Sequence, residues 1–429
     1  MTTTSSTTSP AAATPVAVPD TPVGRQVRWV VAQLEAPDEK TPVSDHFTPG
    51  FLKEVNEVAL LSLFMQVRGS GPYVVTAYRG DQTRATATLT SASGGGLTVL
   101  AGVDPSGKLD SLFLRPRTSV PPLADWAAFD RATAELGADV AVLAADVVDG
   151  RCVPRHAVQA AQSMPMGSAF KLYVLGAVAE AVRARRLRWD QQLTVTDAVR
   201  SLPSGELQNA ANGTKVTVEK AATGMISVSD NTATDLLMAA VGRPAVESAM
   251  TAMGHHDPAQ NRPFLTTREF FELAWGTPNR RAAWVKATPE GRRTLLGGLS
   301  RGRLPVPAAA VTTPAWPDRL EWFGSPNDLC AAHVALQRLA ADPATRATVG
   351  AQVRAALSDN PGVTLPETVT YAAFKGGNSP GAMSLSWYVE SPAGPRVLVL
   401  MIRARDPGRT SDATRIAGLG ERALELLVR

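Results

Sequence analysis

The chain has 429 residues, 44% of them hydrophobic and 19% charged, a composition of soluble globular proteins with room for two cores. It contains no apolar run of the roughly 18 residues that a membrane span needs, and 43 basic against 39 acidic side chains is too small and scattered a surplus for a nucleic-acid footprint. Its two cysteines, Cys152 and Cys330, belong to no CxxC and have no histidines at zinc spacing, and they read as reduced and structural.

Residues 1–23 are mostly Thr, Ser, Ala and Pro without periodicity, a composition that cannot bury enough apolar surface to order itself, and they are expected to form a flexible tail. The same stretch lacks a basic n-region, an apolar h-region and a lipid-accepting cysteine, so a cytoplasmic enzyme is expected. Residues 24–116 change from helical patterns, "GRQVRWVVAQLEA" and "EVNEVALLSLFMQV", to the alternating strands "YVVTAYRG", "TRATATLTSA", "GLTVLAGVD" and "LDSLFLRP". The order predicts an α+β domain of two helices against an antiparallel sheet. The Pro-rich residues 117–125 read as a linker.

The second domain, 126–429, opens with a helix in "WAAFDRATAEL", then a nearly all-apolar strand "ADVAVLAADVV" and its hairpin partner "RCVPRHAVQA". Helical patterns dominate from 168 to about 358. Strands return in "TVTYAAFK", "AMSLSWYVE" and "RVLVLMIRA", and a helix, "DATRIAGLGERALELLV", closes the chain. This predicts an α/β sandwich whose antiparallel sheet comes from both ends of the domain, flanked by helices, with a helical block inserted between.

Lysine is rare: eight occur, the other basic residues being arginine, which cannot give up its proton in a protein. Only Lys171 has a serine three positions before it, in "MGSAFKLYVLGAVAEAV". A helix start at Ser168 puts the two side chains on one face, and the apolar run that follows implies a desolvated amine able to take the serine proton. In "ISVSDNTATDLL", Ser229, Asp230 and Asn231 occupy a break between helices, where Ser229 and Asn231 could bridge lysine, nucleophile and substrate. The residue types suit helix capping equally. A second SDN at Ser358, Asp359 and Asn360 is followed by Pro361 and Gly362 and reads as a turn. In "YAAFKGGNSPGAM", Lys375 ends a strand and offers positive charge, Gly376 and Gly377 let a ligand approach the backbone, and the N–H of Asn378 could pair with that of Ser168 as an oxyanion hole.

The succession SxxK, SDN, K-x-G resembles the class A β-lactamase and penicillin-binding-protein family, with "GTKVTVEKAATGMISVSDNTATDLLMAAVG" as the closest stretch. The resemblance implies Ser168 as acylated nucleophile, Lys171 as its base, Ser229 and Asn231 as the second motif and Lys375–Gly377 as the third. The preceding α+β domain resembles the cone-shaped steroid-isomerase fold, a pairing similar to two-domain serine hydrolases found beside clavulanic-acid biosynthesis and among mycobacterial lipoproteins. Two departures stand out. No ExxLN segment follows the SDN, and "RGRLPVPAAAVTTPAW" contains no carboxylate, so penicillin deacylation is expected to be slow; Asp318 and Glu321 are the first residues to test for a replacement base. Gly376 also stands where the family usually has a hydroxyl residue. The span 262–322 is longer than the usual loop, and rich enough in Phe, Trp and Leu to lid the cleft or to form a subdomain with its own small core.

The reading is a serine hydrolase acting through an acyl-enzyme on Ser168, with a small ester, thioester or amide as substrate, a β-lactam or a biosynthetic intermediate among them. The alternatives are an acyltransferase using the same acyl-enzyme and a catalytically weak protein that binds β-lactam-like metabolites. No cofactor, metal, nucleic acid or membrane is expected, and a monomer or homodimer is. The adjacent His255 and His256 read as a surface loop, since neighbours on a regular element face apart.

Overall fold

The computed structural model describes residues 15–35, 42–55, 57, 60, 64, 72–91, 96–117 and 120–429. The chain divides into two units, 1–121 and 122–429. In the first, β1 (Tyr73–Gly80), β2 (Arg84–Ser91), β3 (Gly96–Val103) and β4 (Leu109–Arg117) follow one another as an antiparallel meander. Every second residue of β2 and β3 is buried, Ala85, Ala87 and Leu89 against Leu97, Val99 and Ala101, as the period of a strand requires. The helix Pro22–Glu35 lays Val23, Val27, Val30 and Leu34, spaced three and four apart, on these strands. That helix begins inside the expected tail, because Pro22 has no N–H to leave unsatisfied at a helix start, and Val16 N donates to Val75 O at 2.8 Å. Residues 1–14 of the tail and most of the second predicted helix, over 54–67, lie outside the described residues.

The strands of the second unit are β5 (Asp139–Val148), β6 (Arg151–Val158), β7 (Met164–Pro165), β8 (Gln192–Thr194), β9 (Lys215–Thr217), β10 (Phe323–Gly324), β11 (Tyr371–Ser379), β12 (Ala382–Ser391) and β13 (Gly394–Arg403). Five form one antiparallel sheet in the order β11-β12-β13-β5-β6, while β7 pairs with β10 and β8 with β9. Strands from the two ends of the unit therefore meet at the β13–β5 ladder. Both are buried on both faces, which accounts for their continuous apolar sequences. Val397, Val399 and Met401 join the core of the helical block, whereas the alternating Leu398, Leu400 and Ile402 are buried outside that cluster, and the C-terminal helix Ala413–Val428 packs on the same strand.

Cys152 on β6 and Cys330 in the helix Pro326–Ala341 form a disulfide, their Cα atoms 6.5 Å apart and 178 residues apart in sequence. The expectation of reduced cysteines was therefore wrong. Spacing along the chain conceals the pairing, since it exists only once the helix has docked on β6. Replacing Cys330 with Ala should destabilise the second unit by about 2–5 kcal/mol, the usual cost of removing a native disulfide. Denaturant titration measures that loss, and alkylation of the denatured, unreduced wild-type chain should find no free thiol.

The span 262–322 carries helices Thr267–Trp275, Arg281–Lys286 and Pro289–Gly297. Phe264, Leu265, Phe270, Leu273, Trp284, Leu320 and Trp322 belong to the same core cluster as the sheet and the helix Lys171–Arg183. It is thus a wall of the main body and not a subdomain with a core of its own.

Candidate active site

Ser168 lies in a turn of 3₁₀ helix, Gly167–Phe170, immediately before the helix Lys171–Arg183. With three residues per turn, the side chains of Ser168 and Lys171 fall on the same side. The segment leading into the turn is clamped: Met166 N donates to Trp322 O at 2.7 Å, and Ser384 Oγ donates to Met166 O at 2.5 Å. The helix is buried along ten of its residues, Lys171 among them with no exposure at all.

The Lys171 amine sits 2.7 Å from Ser229 O, 3.1 Å from Ser229 Oγ and 2.6 Å from Asn231 Oδ1. A carbonyl and an amide oxygen can only accept, so they take two amine hydrogens; the contact with the Ser229 hydroxyl can run in either direction. Lys375 reaches the same hydroxyl from the sheet side, Nζ lying 3.1 Å from Ser229 Oγ and 2.7 Å from Gly376 O. Ser229 Oγ therefore bridges two amines. Burial first, and then the charge of Lys375, pushes the Lys171 amine well below its ordinary range, with Asp235 and Asp230 opposing. Burial alone brings Lys375 down to about 7. The sequence pattern suggested direct contact between Lys171 and Ser168, whereas the amine is hydrogen-bonded to Ser229 and Asn231 and the Ser168 hydroxyl has no hydrogen-bond partner among the described residues.

Ser229 adopts a left-handed backbone, φ 58°, which is strained for a residue with a side chain. Asp230 supplies the restraint. Its N–H donates to Gly224 O at 2.9 Å, its side chain caps the helix Asn231–Val241 by accepting from Ala233 N, and its other oxygen accepts from Glu206 N and Leu207 N. Asn231 Nδ2 donates to Leu202 O, leaving Oδ1 turned to Lys171. The capping and bridging readings of this motif thus coexist in different residues. Ser358 of the second SDN ends the helix Ala351–Ser358 in an exposed position, its hydroxyl on Ala355 O, and Asn360 Nδ2 donates to Ser227 O, so neither residue contacts Lys171.

Gly377 and Gly167 face each other where β11 passes the serine turn. A Cβ on Gly377 would overlap Met166 O and Ser168 N, and one on Gly167, at φ 48°, would come within 2.7 Å of Asn378 N. Only two glycines allow this approach, and it brings the backbone N–H groups of Ser168 and Asn378 together. The Asn378 side chain itself is exposed.

Ser168, Asn231, Asn378 and Ser379 line a cavity of about 600 Å³ whose other side is Phe270, Phe271, Trp275 and Trp322. Sequence reasoning passed over Ser204, Thr267 and Ser379, which also line it and carry no local signal. The cavity contains a carboxyl group after all. Glu321 lines it, 5% exposed, accepting from Ser379 Oγ at 2.6 Å and Trp322 N at 3.1 Å. Burial raises this carboxyl to about 7 against the pull of both hydrogen bonds. Asp318 is absent from the lining and is partly exposed, 3.6 Å from Arg281.

His255, expected on a surface loop, is buried. Its ring stacks with that of His256, and Asp328 lies within 4.8 Å of both. His255 Nδ1 accepts from Asp257 N, so Nε2 carries the hydrogen and donates to Phe323 O. Asp328 accepts from His256 N, Ser325 N and Ser325 Oγ. With both His255 nitrogens and His256 Nδ1 hydrogen-bonded, the last to Asp328 at 2.7 Å, the trio is a clamp on the start of the helix Pro326–Ala341.

Residues 127–310 match the family model described as the β-lactamase enzyme family, and residues 18–109 match one described as the N-terminal part of an ORF 12 gene product. Residues 127–310, within the second unit, therefore resemble the β-lactamase enzyme family. Among solved structures, the chain is similar to a β-lactamase from Sphaerobacter thermophilus, at 21% identity over 71% of this chain and 98% of the other, with a TM-score of 0.47. It is also similar to a variant of PBP-A solved as an acyl-enzyme with penicillin G, at 17% identity over 71% and 99% with a TM-score of 0.46. A variant of the class A β-lactamase of the last common ancestor of Gram-negative bacteria gives 19% identity, 70% and 96% coverage and a TM-score of 0.48. No curated protein sequence matches the chain. Among the described residues no helix is long and apolar enough to cross a membrane.

Glu321 makes stability depend on pH. Its folded value, about 7, lies above the ordinary 4.5, so its contribution is fully present below the unfolded value and is lost as pH rises through about 7. Glu321→Gln removes this dependence. The unfolding midpoint of the variant relative to wild type should therefore rise between about pH 5 and pH 8, as measured by calorimetry; a difference constant with pH contradicts a raised carboxyl.

Proposed function

We propose that the protein is a serine hydrolase that forms an acyl-enzyme on Ser168, with small esters, thioesters or amides, β-lactams included, as substrates. The observation that carries this reading is the desolvated Lys171 amine, joined through Ser229 to a second buried amine, at a cavity that Ser168 lines. In the reaction Ser168 Oγ bonds to the substrate carbonyl carbon as its proton passes to neutral Lys171. The N–H groups of Ser168 and Asn378 take the developing negative charge on the carbonyl oxygen. Collapse breaks the bond to the leaving group, which receives the proton from Lys171 through the Ser229 hydroxyl. Lys375 lies beside that hydroxyl and favours its anionic character during the transfer. Water then hydrolyses the ester on Ser168 and restores the hydroxyl.

The Cys152–Cys330 bond supports an oxidising compartment over the expected cytoplasm, where thiols are kept reduced.

Ser168→Ala should abolish fluorophosphonate labelling and turnover of activated esters, with the thermal midpoint nearly unchanged; labelling that persists overturns the assignment. Lys171→Arg should lose as much activity as Lys171→Ala, because arginine retains the charge and cannot serve as a base. For the two SDN copies, Ser229→Ala should slow acylation by about a hundredfold or more, the scale of a lost proton relay. Ser358→Ala should leave the rate where it was. Stopped-flow measurement with an activated ester distinguishes the two.

A further inference from the structure

Glu321 has no part in the acylation steps above, yet it occupies the cavity in which they would occur. Two donors reach its carboxyl, Ser379 Oγ and Trp322 N–H, and no cation pairs with it among the described residues. Arg281 lies over Trp275, but its guanidinium is engaged with Ala274 O, Pro314 O and Asp318. A carboxyl buried without a counter-charge is costly in its ionised form, and here it is placed beside a wall of aromatic rings. Trp322 stacks on Phe170 with centroids 3.8 Å apart and lies 4.9 Å from Phe270, which meets Trp275 at 5.2 Å. A carboxylate next to aromatic faces suits one class of guest, an organic cation, which neutralises the acid and is attracted by the ring quadrupoles.

The position along β11 says which part of a substrate would carry that cation. Ser379, which holds Glu321, directly follows Asn378, whose N–H lies beside the Ser168 turn. One residue of strand is about 3.3 Å, so an amine on the carbon next to the reacting carbonyl comes within reach of the carboxyl. We propose that this end of the cavity is a subsite for a positively charged amine on the acyl portion of the substrate, held between Glu321 and the aromatic wall. The inference rests on the acyl-enzyme reading for its orientation and makes α-amino acyl esters or amides the preferred substrate class.

The p-nitrophenyl esters of phenylglycine and phenylacetic acid differ only by an amine at that carbon, so they test the subsite directly once each rate is divided by that of the ester's spontaneous hydrolysis. Intact-mass spectrometry should show the amine-bearing compound acylating the wild-type chain faster by about tenfold to a hundredfold, the worth of a charge-assisted hydrogen bond. In Glu321→Gln the ratio should collapse towards one. A wild-type ratio near one overturns the proposal, as does a ratio that survives in the variant. If Glu321→Gln slows the release of both acyl groups equally and leaves the acylation ratio intact, the carboxyl moves protons and does not select substrates. Should neither compound acylate Ser168, the acyl-enzyme reading fails for this class, and binding decides the subsite separately. In Ser168→Ala protein, calorimetry should find phenylglycinamide, as its cation, bound more tightly than neutral phenylacetamide. Equal affinities overturn the subsite whatever the fate of the acyl-enzyme. The wild-type ratio and this binding comparison stand even if Glu321→Gln fails to fold.

Discussion

Burying one amine sets most of the constraints on the second unit. Lys171 is placed in a helix whose other residues are among the best buried of the chain, and an ammonium there would lose its hydration without a matching carboxylate at contact distance. The surroundings meet the cost in two ways. They depress the affinity of the amine for its extra proton, and they bring in two obligate acceptors, Ser229 O and Asn231 Oδ1, for the hydrogens it retains. Lys375 adds to the first effect by placing another potential charge across the same hydroxyl. Two neighbouring ammonium groups in so dry a place repel one another, so the cluster holds fewer protons than its composition suggests.

Presenting those acceptors requires a backbone that a serine does not adopt willingly. The left-handed conformation at Ser229 costs on the order of 1–3 kcal/mol, and Asp230 offsets it with a helix cap and two further backbone donors. The middle residue of the motif is therefore structural, while its neighbours on either side face the lysine. Such a division explains why the same three residue types can occur at 358–360 as a helix end: without a buried amine to satisfy, Ser358 turns its hydroxyl to Ala355 O at the surface.

The long segment between the SDN and the last helix of the block gives the cavity its asymmetry. One end is formed by the serine turn and the paired glycines, close-packed backbone with polar N–H groups. The other is formed by Phe270, Trp275 and Trp322, which are continuous with the main core. These rings are anchored in the main core and not on an isolated flap, and the carboxyl of Glu321 is held by a strand residue and a backbone N–H.

The sequence by itself determined what depends on local spacing. Alternating or continuous apolar residues specify β2, β3, β5 and β13, caps and proline specify helix starts, and the three-residue interval between Ser168 and Lys171 places them on one side of a turn. Each follows from interactions among residues close in the chain. Tertiary structure alone decided the partners: that Lys171 contacts Ser229 and Asn231, that Cys152 meets Cys330 across 178 residues, that His255 is buried, and that Glu321 enters the cavity through Ser379, 58 positions away. In the sequence Glu321 stands beside Asp318 as one of two carboxyls to test for a base, and nothing in its neighbours signals its burial. Its environment is made by strands and helices from distant parts of the chain, and only their packing sets the local dielectric, the available donors and the missing counter-charge that give the group its chemistry.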